Sequence, residues 1–265
     1  MALHFVAAEA TDAQPGEILT LTGTEAHHAA VVRRVRAGEA ITVGDGRGVW
    51  LTGVCEDATP REVHVRIADR REDPMPTPRL VLVQALAKGD RDELAVQAAT
   101  ELGVDEIVPW QAGRSVSRWA HASRASAQRA ALGGGGRGED GAKVAKGVAR
   151  WEAITREAAK QAHRAWIPDV SAPVTTEQLA ERAAEASVLV LEPTAKATLT
   201  AHLLKPIDER DIVLVVGPEG GIAPEELDAL VAAGAVLVRL GDTVLRTSTA
   251  GPAALAVASA ALGRW

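Results

Sequence analysis

With 265 residues, 47% of them hydrophobic, the chain is long enough for one large or two smaller domains around a buried core. Its single cysteine, Cys55, excludes a disulfide framework; with His27 and His28 as the only close histidine pair, no CxxC or CxxH spacing exists for zinc, so no metal and a reducing compartment are expected. A net charge of −6 excludes a uniformly basic nucleic-acid coat, no stretch approaches the roughly 20 apolar residues of a membrane span, and MALHFVAAEA is no leader, so a cytoplasmic location is expected.

Residues 3–68 alternate short β-like runs, at 18–21, 40–43, 49–54 and 63–67, with turn signals such as GDGRG at 44–48. This pattern predicts a small β-rich domain. One helix interrupts it, EAHHAAVVRRVR, with Thr24 as its cap and Gly38 as its stop. The stretch ADRREDPMPTPR, residues 68–79, is charged and carries Pro74, Pro76 and Pro78, which block both helix and ladder pairing, so the domain boundary falls here.

From Leu80 the pattern becomes strand, then helix, repeatedly. LVLVQALA (80–87) is a continuous apolar run, as expected of a strand buried on both faces of a parallel sheet. Asp90 and Glu93 form a capping box for a helix that runs to Leu102 and stops at Gly103. EIVPW, SVLVLEP, DIVLVVG and AVLVRLG follow as strands, with helices around 151–165, 177–186, 224–233 and 249–262. The whole predicts an α/β domain.

Between Arg114 and Arg164, eight Arg and three Lys face four acids, a local balance of 11 − 4 = +7 that offers a surface to a polyanion or simply a solvated helix face. Within it, GGGGRGEDG (133–141) lacks a preceding strand and a Lys-Ser/Thr end, so it is a flexible surface insertion rather than a phosphate loop. In the helix that follows, at about 100° per residue, Trp151, Ile154, Ala158, Ala162 and Ala165 share one face, and Arg156, Lys160 and Arg164 line the opposite one.

Ligands of open α/β sheets collect at the carboxyl ends of strands. Three consecutive strands here end in unusual loops: LEPTAK (191–196), GPEGGIAPEE (217–226) and LGDTVLRTSTAG (240–251). The middle loop is neither a Walker loop nor a G-x-G-x-x-G fingerprint, and its Glu219 would repel a pyrophosphate. A neutral or cationic ligand held largely by main-chain groups fits better; the alternative is that Glu219 caps the helix near Pro224 and the glycines only turn the chain. In the third loop, Ser248 or Thr249 is a candidate N-cap, and Arg246 can hold a phosphate, stabilise charge on a base or form an ion pair.

Five pieces, HHAAVVRRVRAGE (27–39), QALAKGDRDELAVQAATELGV (84–104), REAAKQAHRAWIPDV (156–170), VVGPEGGIAPEEL (215–227) and LGDTVLRTSTA (240–250), resemble in order and spacing the RsmE family of SPOUT-class RNA methyltransferases. The resemblance covers essentially the whole chain. It implies an α/β protein in which an N-terminal PUA-like β-barrel domain, 1–72, precedes a SPOUT α/β domain, 73–265, with a C-terminal trefoil knot at about 187–262. It implies methyl transfer from S-adenosylmethionine to N3 of a uridine in 16S ribosomal RNA, free or in the small subunit, by a homodimer without a metal. The cofactor loops would comprise Leu191, Glu192 and Pro193; Gly217, Pro218, Glu219, Gly220, Gly221 and Ile222; and Leu240, Gly241, Val244, Leu245 and Arg246.

Uracil N3 is a poor nucleophile until its proton is lost, so the site should favour the anion, with Arg246 the candidate catalytic residue orienting the base or stabilising its charge. RNA would be held by Arg33, Arg34 and Arg36 in the first domain, and by Arg114, Arg118, Arg156, Lys160 and Arg164 in the second. Two departures stand out: the family usually carries Arg near His4 and commonly Glu at Ser248. The alternatives are a SPOUT methyltransferase acting on another RNA site, and a non-catalytic RNA-binding ribosome-assembly factor.

Overall fold

The computed structural model describes residues 2–119, 139–204 and 209–265. Residues 133–138 of the glycine-rich stretch lie outside the described residues, and 139–141 open a helix rather than continue a loop. The chain divides into two compact units, Met1–Met75 with Ala159–Ile167, and Pro76–Ala158 with Pro168–Trp265.

The first unit is built on strands β1 (Leu3–Val6), β2 (Ile18–Thr22), β3 (Ala40–Gly44), β4 (Val49–Ala58) and β5 (Glu62–Glu72), ordered β1-β3-β4-β5-β2. Only β1 pairs in parallel; alternation puts Leu21, Ile41, Leu51, Val63, Val65 and Ile67 into one core with Phe5. Strand β5 runs to Glu72 and stops just before Pro74, so residues 68–72 of the charged boundary stretch belong to the sheet.

Helix α1 (Gly23–His27) widens into a π-helical turn, His28–Val32, and is over by Arg33. Thr24 therefore lies inside it; the N-cap is Thr22, whose side chain makes no cap bond. Arg34 adopts the left-handed region, φ 56°, which drops Val35 into the core while Arg33, Arg34 and Arg36 stay exposed.

His4 is buried, stacked on Trp50 with ring centroids 4.1 Å apart and with Nδ1 3.0 Å from Thr42 Oγ1. Burial, then the nearby His163 and Lys160, lowers its pKa from 6.5 to about 3. The unfolded chain thus binds a proton here that the folded one refuses, so this unit should lose stability as pH falls from about 6.5 toward 3. A urea-midpoint series across that range should flatten in His4→Phe.

Lys160 corrects the expected basic row. Its side chain is 4% exposed, with Nζ 2.9 Å from Glu25 Oε1, whereas Arg156 is exposed and Arg164 half-buried. A helical wheel assumes one buried side, but from Ala159 the chain belongs to the first unit, where Glu25 supplies the counter-charge. The helix also ends at Gln161, so Ala165 is buried from beyond it.

The second unit carries a wholly parallel sheet, β11-β9-β10-β6-β7-β8, formed by β6 (Leu80–Ala85), β7 (Glu106–Trp110), β8 (Asp169–Val170), β9 (Ser187–Leu191), β10 (Ile212–Val216) and β11 (Val236–Val238). All six residues of β6 are buried, as the apolar run predicts for a sheet covered on both faces. One face packs Leu80, Leu82, Leu189 and Leu214 against helices α2 (Arg91–Glu101), α3 (Glu139–Gln161), α5 (Leu199–Leu203) and α7 (Thr247–Ala261). The other packs Val81, Val83, Val188 and Val213 against α4 (Thr176–Arg182) and α6 (Pro224–Ala232).

The capping box expected at Asp90 and Glu93 does not form. Asp92 instead turns back to accept from the Ala87 amide at 3.1 Å, and Glu93 is taken by Arg150. Near the other end of the sheet, Arg264 Nη1 bonds Asp105 Oδ2 at 2.8 Å and Nη2 bonds the Pro78 carbonyl; Asp105 Oδ2 also accepts from the Leu80 amide at 2.8 Å.

Candidate active site

Strand β9 lies between β10 and β11, with Leu191 opposite Val216 on one side and Val238 on the other, so the three loops leave the sheet at one level. They enclose a cavity of about 350 Å³, within the range of small-molecule sites. The first loop contributes Leu191, Glu192 and Pro193, the second Gly217, Pro218, Glu219, Gly221 and Ile222, and the third Leu240, Gly241, Val244, Leu245 and Arg246. Of the predicted pocket residues, Gly220 alone does not line it; its carbonyl instead accepts from Arg114 Nη1 at 3.3 Å.

Glycine is required in the middle loop for two separate reasons. A Cβ on Gly217 would stand 2.6 Å from Ile222 Cγ1, and Gly221, whose amide donates to the Pro218 carbonyl at 2.9 Å, has φ +72°. The result is a wall of backbone amides and carbonyls closed by apolar Ile222, Leu240 and Leu245, suited to a ligand read through the main chain.

Glu219 does not cap the helix behind it. Its Oε1 accepts from the Lys88 amide at 3.1 Å and from Arg91 Nη1 at 3.0 Å, so it ties the middle loop to the turn between β6 and α2. Partial burial pushes its carboxyl up, but its own amide, the Lys88 amide and the Arg91 guanidinium outweigh that and hold it below the ordinary carboxylate value. It stays anionic at the cavity wall, with its charge answered by Arg91.

The third loop folds back through an Arg239–Asp242 ion pair, leaving Val244 exposed at the cavity and Arg246 at the N-cap of α7. The Arg246 carbonyl accepts from the Thr249 and Ala250 amides, and no side chain caps this helix, so neither Ser248 nor Thr249 has the capping role expected of it. Among the described residues, the Arg246 guanidinium makes no hydrogen bond or ion pair, which leaves its donors free for a ligand.

Two polar residues of this region were not singled out from the sequence. Glu226, one of three acids around Pro224, accepts from Thr176 Oγ1 at 2.6 Å, the Gly113 amide at 2.9 Å and the Ala223 amide at 3.3 Å, anchoring the start of α6 to the loop after β7. Thr247 is buried and donates to the Gly217 carbonyl at 3.0 Å. Only the doubled acid after a proline hinted at the first; nothing separates Thr247 from its hydroxyl neighbours in TST.

The predicted RNA-binding arginines fall into groups. Arg33, Arg34 and Arg36 are clustered and exposed; Arg114 and Arg118 are exposed on the loop after β7, where Arg118 donates to the Gly113 carbonyl at 3.3 Å. Arg156 is exposed on α3, and Lys160 leaves the set because it is buried in its ion pair. Among the described residues, no group of three or more His, Cys, Asp or Glu is placed to hold a metal ion.

Residues 73–132 and 137–259 match the family described as RNA methyltransferase domain, and residues 21–68 match the RNA methyltransferase PUA domain. The chain is 42% identical over 255 residues to the ribosomal RNA small subunit methyltransferase E of Mycobacterium tuberculosis, covering 94% of this chain and 89% of that protein. The Bacillus subtilis protein of the same name is 28% identical over 263 residues, covering 94% of this chain and 93% of its own. Among solved structures, the ribosomal RNA small subunit methyltransferase E of Neisseria gonorrhoeae, bound to S-adenosyl methionine, superposes with a TM-score of 0.80 at 25% identity, covering 98% of both chains. A Legionella pneumophila protein in complex with the bound cofactor SAM gives 0.78 at 31% identity, covering 98% of this chain and 97% of that one.

Proposed function

The chain belongs to the RNA methyltransferase family, joined here to that family's PUA domain, and from this premise we propose that it transfers a methyl group from S-adenosylmethionine to N3 of a uridine in 16S ribosomal RNA. The observation that carries the reading is the convergence of the three loops on one cavity with a main-chain wall, an anionic Glu219 and an uncommitted Arg246.

The residues present fit the cofactor. The cavity has the volume of a small-molecule site, and the close approach of Gly217 to Ile222 leaves no room for a side chain that would narrow it. Leu191, Glu192 and Pro193, then Gly217, Pro218, Glu219, Gly221 and Ile222, and the third loop up to Leu245 would hold it, with Arg246 beside it facing the base. When bound, S-adenosylmethionine supplies an electrophilic methyl group on a positively charged sulfur.

The chain's own work is to present the base. Uracil N3 attacks as the anion, and a guanidinium at Arg246 lowers the free energy of that anion while fixing its orientation by paired donors. The apolar wall of Ile222, Leu240 and Leu245 limits water around the reacting atoms. The N3 proton leaves to solvent.

Several further features belong to the same reading. The first compact unit, Met1–Met75 with Ala159–Ile167, holds RNA and the second transfers the methyl group, the segment 187–262 is threaded as a trefoil knot, and two copies form a dimer. A cytoplasmic location accords with the substrate; among the described residues no helix is long and apolar enough to cross a membrane.

RNA is held mainly by phosphate contacts from Arg33, Arg34, Arg36, Arg114, Arg118, Arg156 and Arg164. Replacing Arg33, Arg34 and Arg36 together by alanine should reduce the slope of log affinity against log salt by about 2. A filter-binding series at several salt concentrations measures this, and an unchanged slope would remove the cluster from the interface. The deciding experiment for the reaction is mass mapping of ribosomal RNA from a deletion strain. Loss of N3-methyluridine from 16S RNA supports the assignment; loss from another RNA redirects it to that substrate, and no loss at all leaves a binding role.

A further inference from the structure

Strand β6 carries one polar side chain, Gln84, in an otherwise apolar run, and it is fully buried. It lies opposite Val216 of β10 and Pro109 of β7, at the carboxyl end of the sheet where the cavity begins. Its Nε2 donates to Thr247 Oγ1 at 2.9 Å and to the Ala85 carbonyl at 3.1 Å, while its Oε1 is buried without a hydrogen-bond partner among the described residues. An orphaned buried acceptor is destabilising, and a leucine or methionine in the same place would avoid it. Packing alone therefore does not account for the amide.

Its donor half does. A threonine hydroxyl has one proton, and once Thr247 Oγ1 accepts from Gln84, that proton is directed to the remaining acceptor, the Gly217 carbonyl at 3.0 Å. The two bonds run in sequence from β6 through the first residue of α7 to the head of the glycine loop. Thr247, Gly217 and Arg246 line the cavity; Gln84 stands one layer behind them.

We infer that Gln84 is a positioning residue of the methyl-transfer site, holding through Thr247 both the Gly217 carbonyl and the turn of α7 that presents Arg246. The inference rests on the function proposed above. Neither a hydroxyl rotor nor a glycine loop is stiff by itself, and a misplacement of about 1 Å at a reacting group can cost on the order of a hundredfold in rate.

The test uses the full chain with S-adenosylmethionine and small ribosomal subunits lacking the modification. Gln84→Leu and Thr247→Val should each weaken S-adenosylmethionine binding by about tenfold and slow single-turnover transfer by about ten- to a hundredfold. Calorimetry should still titrate every chain, because the site is displaced rather than unfolded. The double variant should be no worse than the poorer single one, since both remove the same relay, and Thr247→Ser, which keeps a hydroxyl, should be at least about fivefold faster than Thr247→Val. A merely structural role would instead lower the number of binding chains at unchanged affinity, and that outcome overturns the inference, as does full activity in Gln84→Leu or additive losses in the double variant. Wild-type protein that binds no S-adenosylmethionine would overturn the underlying function as well; wild-type activity matched by Gln84→Leu overturns only the relay.

Discussion

Replacing Arg246 with alanine is expected to slow methyl transfer by about a hundred- to a thousandfold, the usual loss when one preorganised donor to a developing anion is removed. S-adenosylmethionine affinity should change by less than about threefold, because a contact to the base contributes to the transition state rather than to cofactor binding. The guanidinium is exposed at the cavity and bonded to nothing else among the described residues, so its removal breaks no internal ion pair that would confuse the reading. Single-turnover rates with calorimetry on the same preparation separate the two quantities. Wild-type-like turnover would exclude Arg246 from the chemistry. A rate loss matched by an equal loss of cofactor affinity would make it a cofactor ligand instead.

The second large effect is on stability, at Lys160 and Glu25. Both side chains are nearly enclosed, at 4% and 12% exposure, and removing one partner leaves the other charge buried. Lys160→Ala is therefore expected to cost about 3–5 kcal/mol, whereas Glu25→Leu combined with Lys160→Met should cost clearly less than the two single losses together, because the paired removal takes both charges of this contact away at once. Urea unfolding measures both. The same Lys160→Ala protein, assayed where it remains folded, should bind RNA with an unchanged salt slope, in contrast to the Arg33, Arg34 and Arg36 triple variant.

The sequence was most informative where one physical rule dominates a segment. The parallel strands are legible because burial on both faces demands unbroken apolar runs, and LVLVQA, IVLVV and SVLVL supply them. The three loops are legible because glycine, an acid and an arginine after strand ends are costly unless used. The misreadings arose where a side chain answers to a distant partner. Lys160 follows Glu25, far away along the chain, and Glu93 follows Arg150 rather than its own helix start. Glu219 was open between pocket wall and helix cap, and its bonds to Lys88 and Arg91, which local capping rules do not foresee, remove the cap. Short elements such as β8 and α5 were missed because two to five residues carry too little periodicity to register.

Helix α7 is fastened to strand β6 at both of its ends: Thr247 is held by Gln84 at the strand's carboxyl end, and Arg264, just past the helix, grips Asp105, which accepts from Leu80 at the strand's start. An element secured at one end can fray from the other, but this one has no free end from which to begin. Its amides and those of β6 should therefore exchange with deuterated solvent at a common rate, set by the opening of the whole second unit, while the loop amides at 219–222 and 240–245, beyond the residues that Thr247 fixes, exchange much sooner. The part of the molecule that must adapt to a ligand would then open many times for each opening of the frame that carries it.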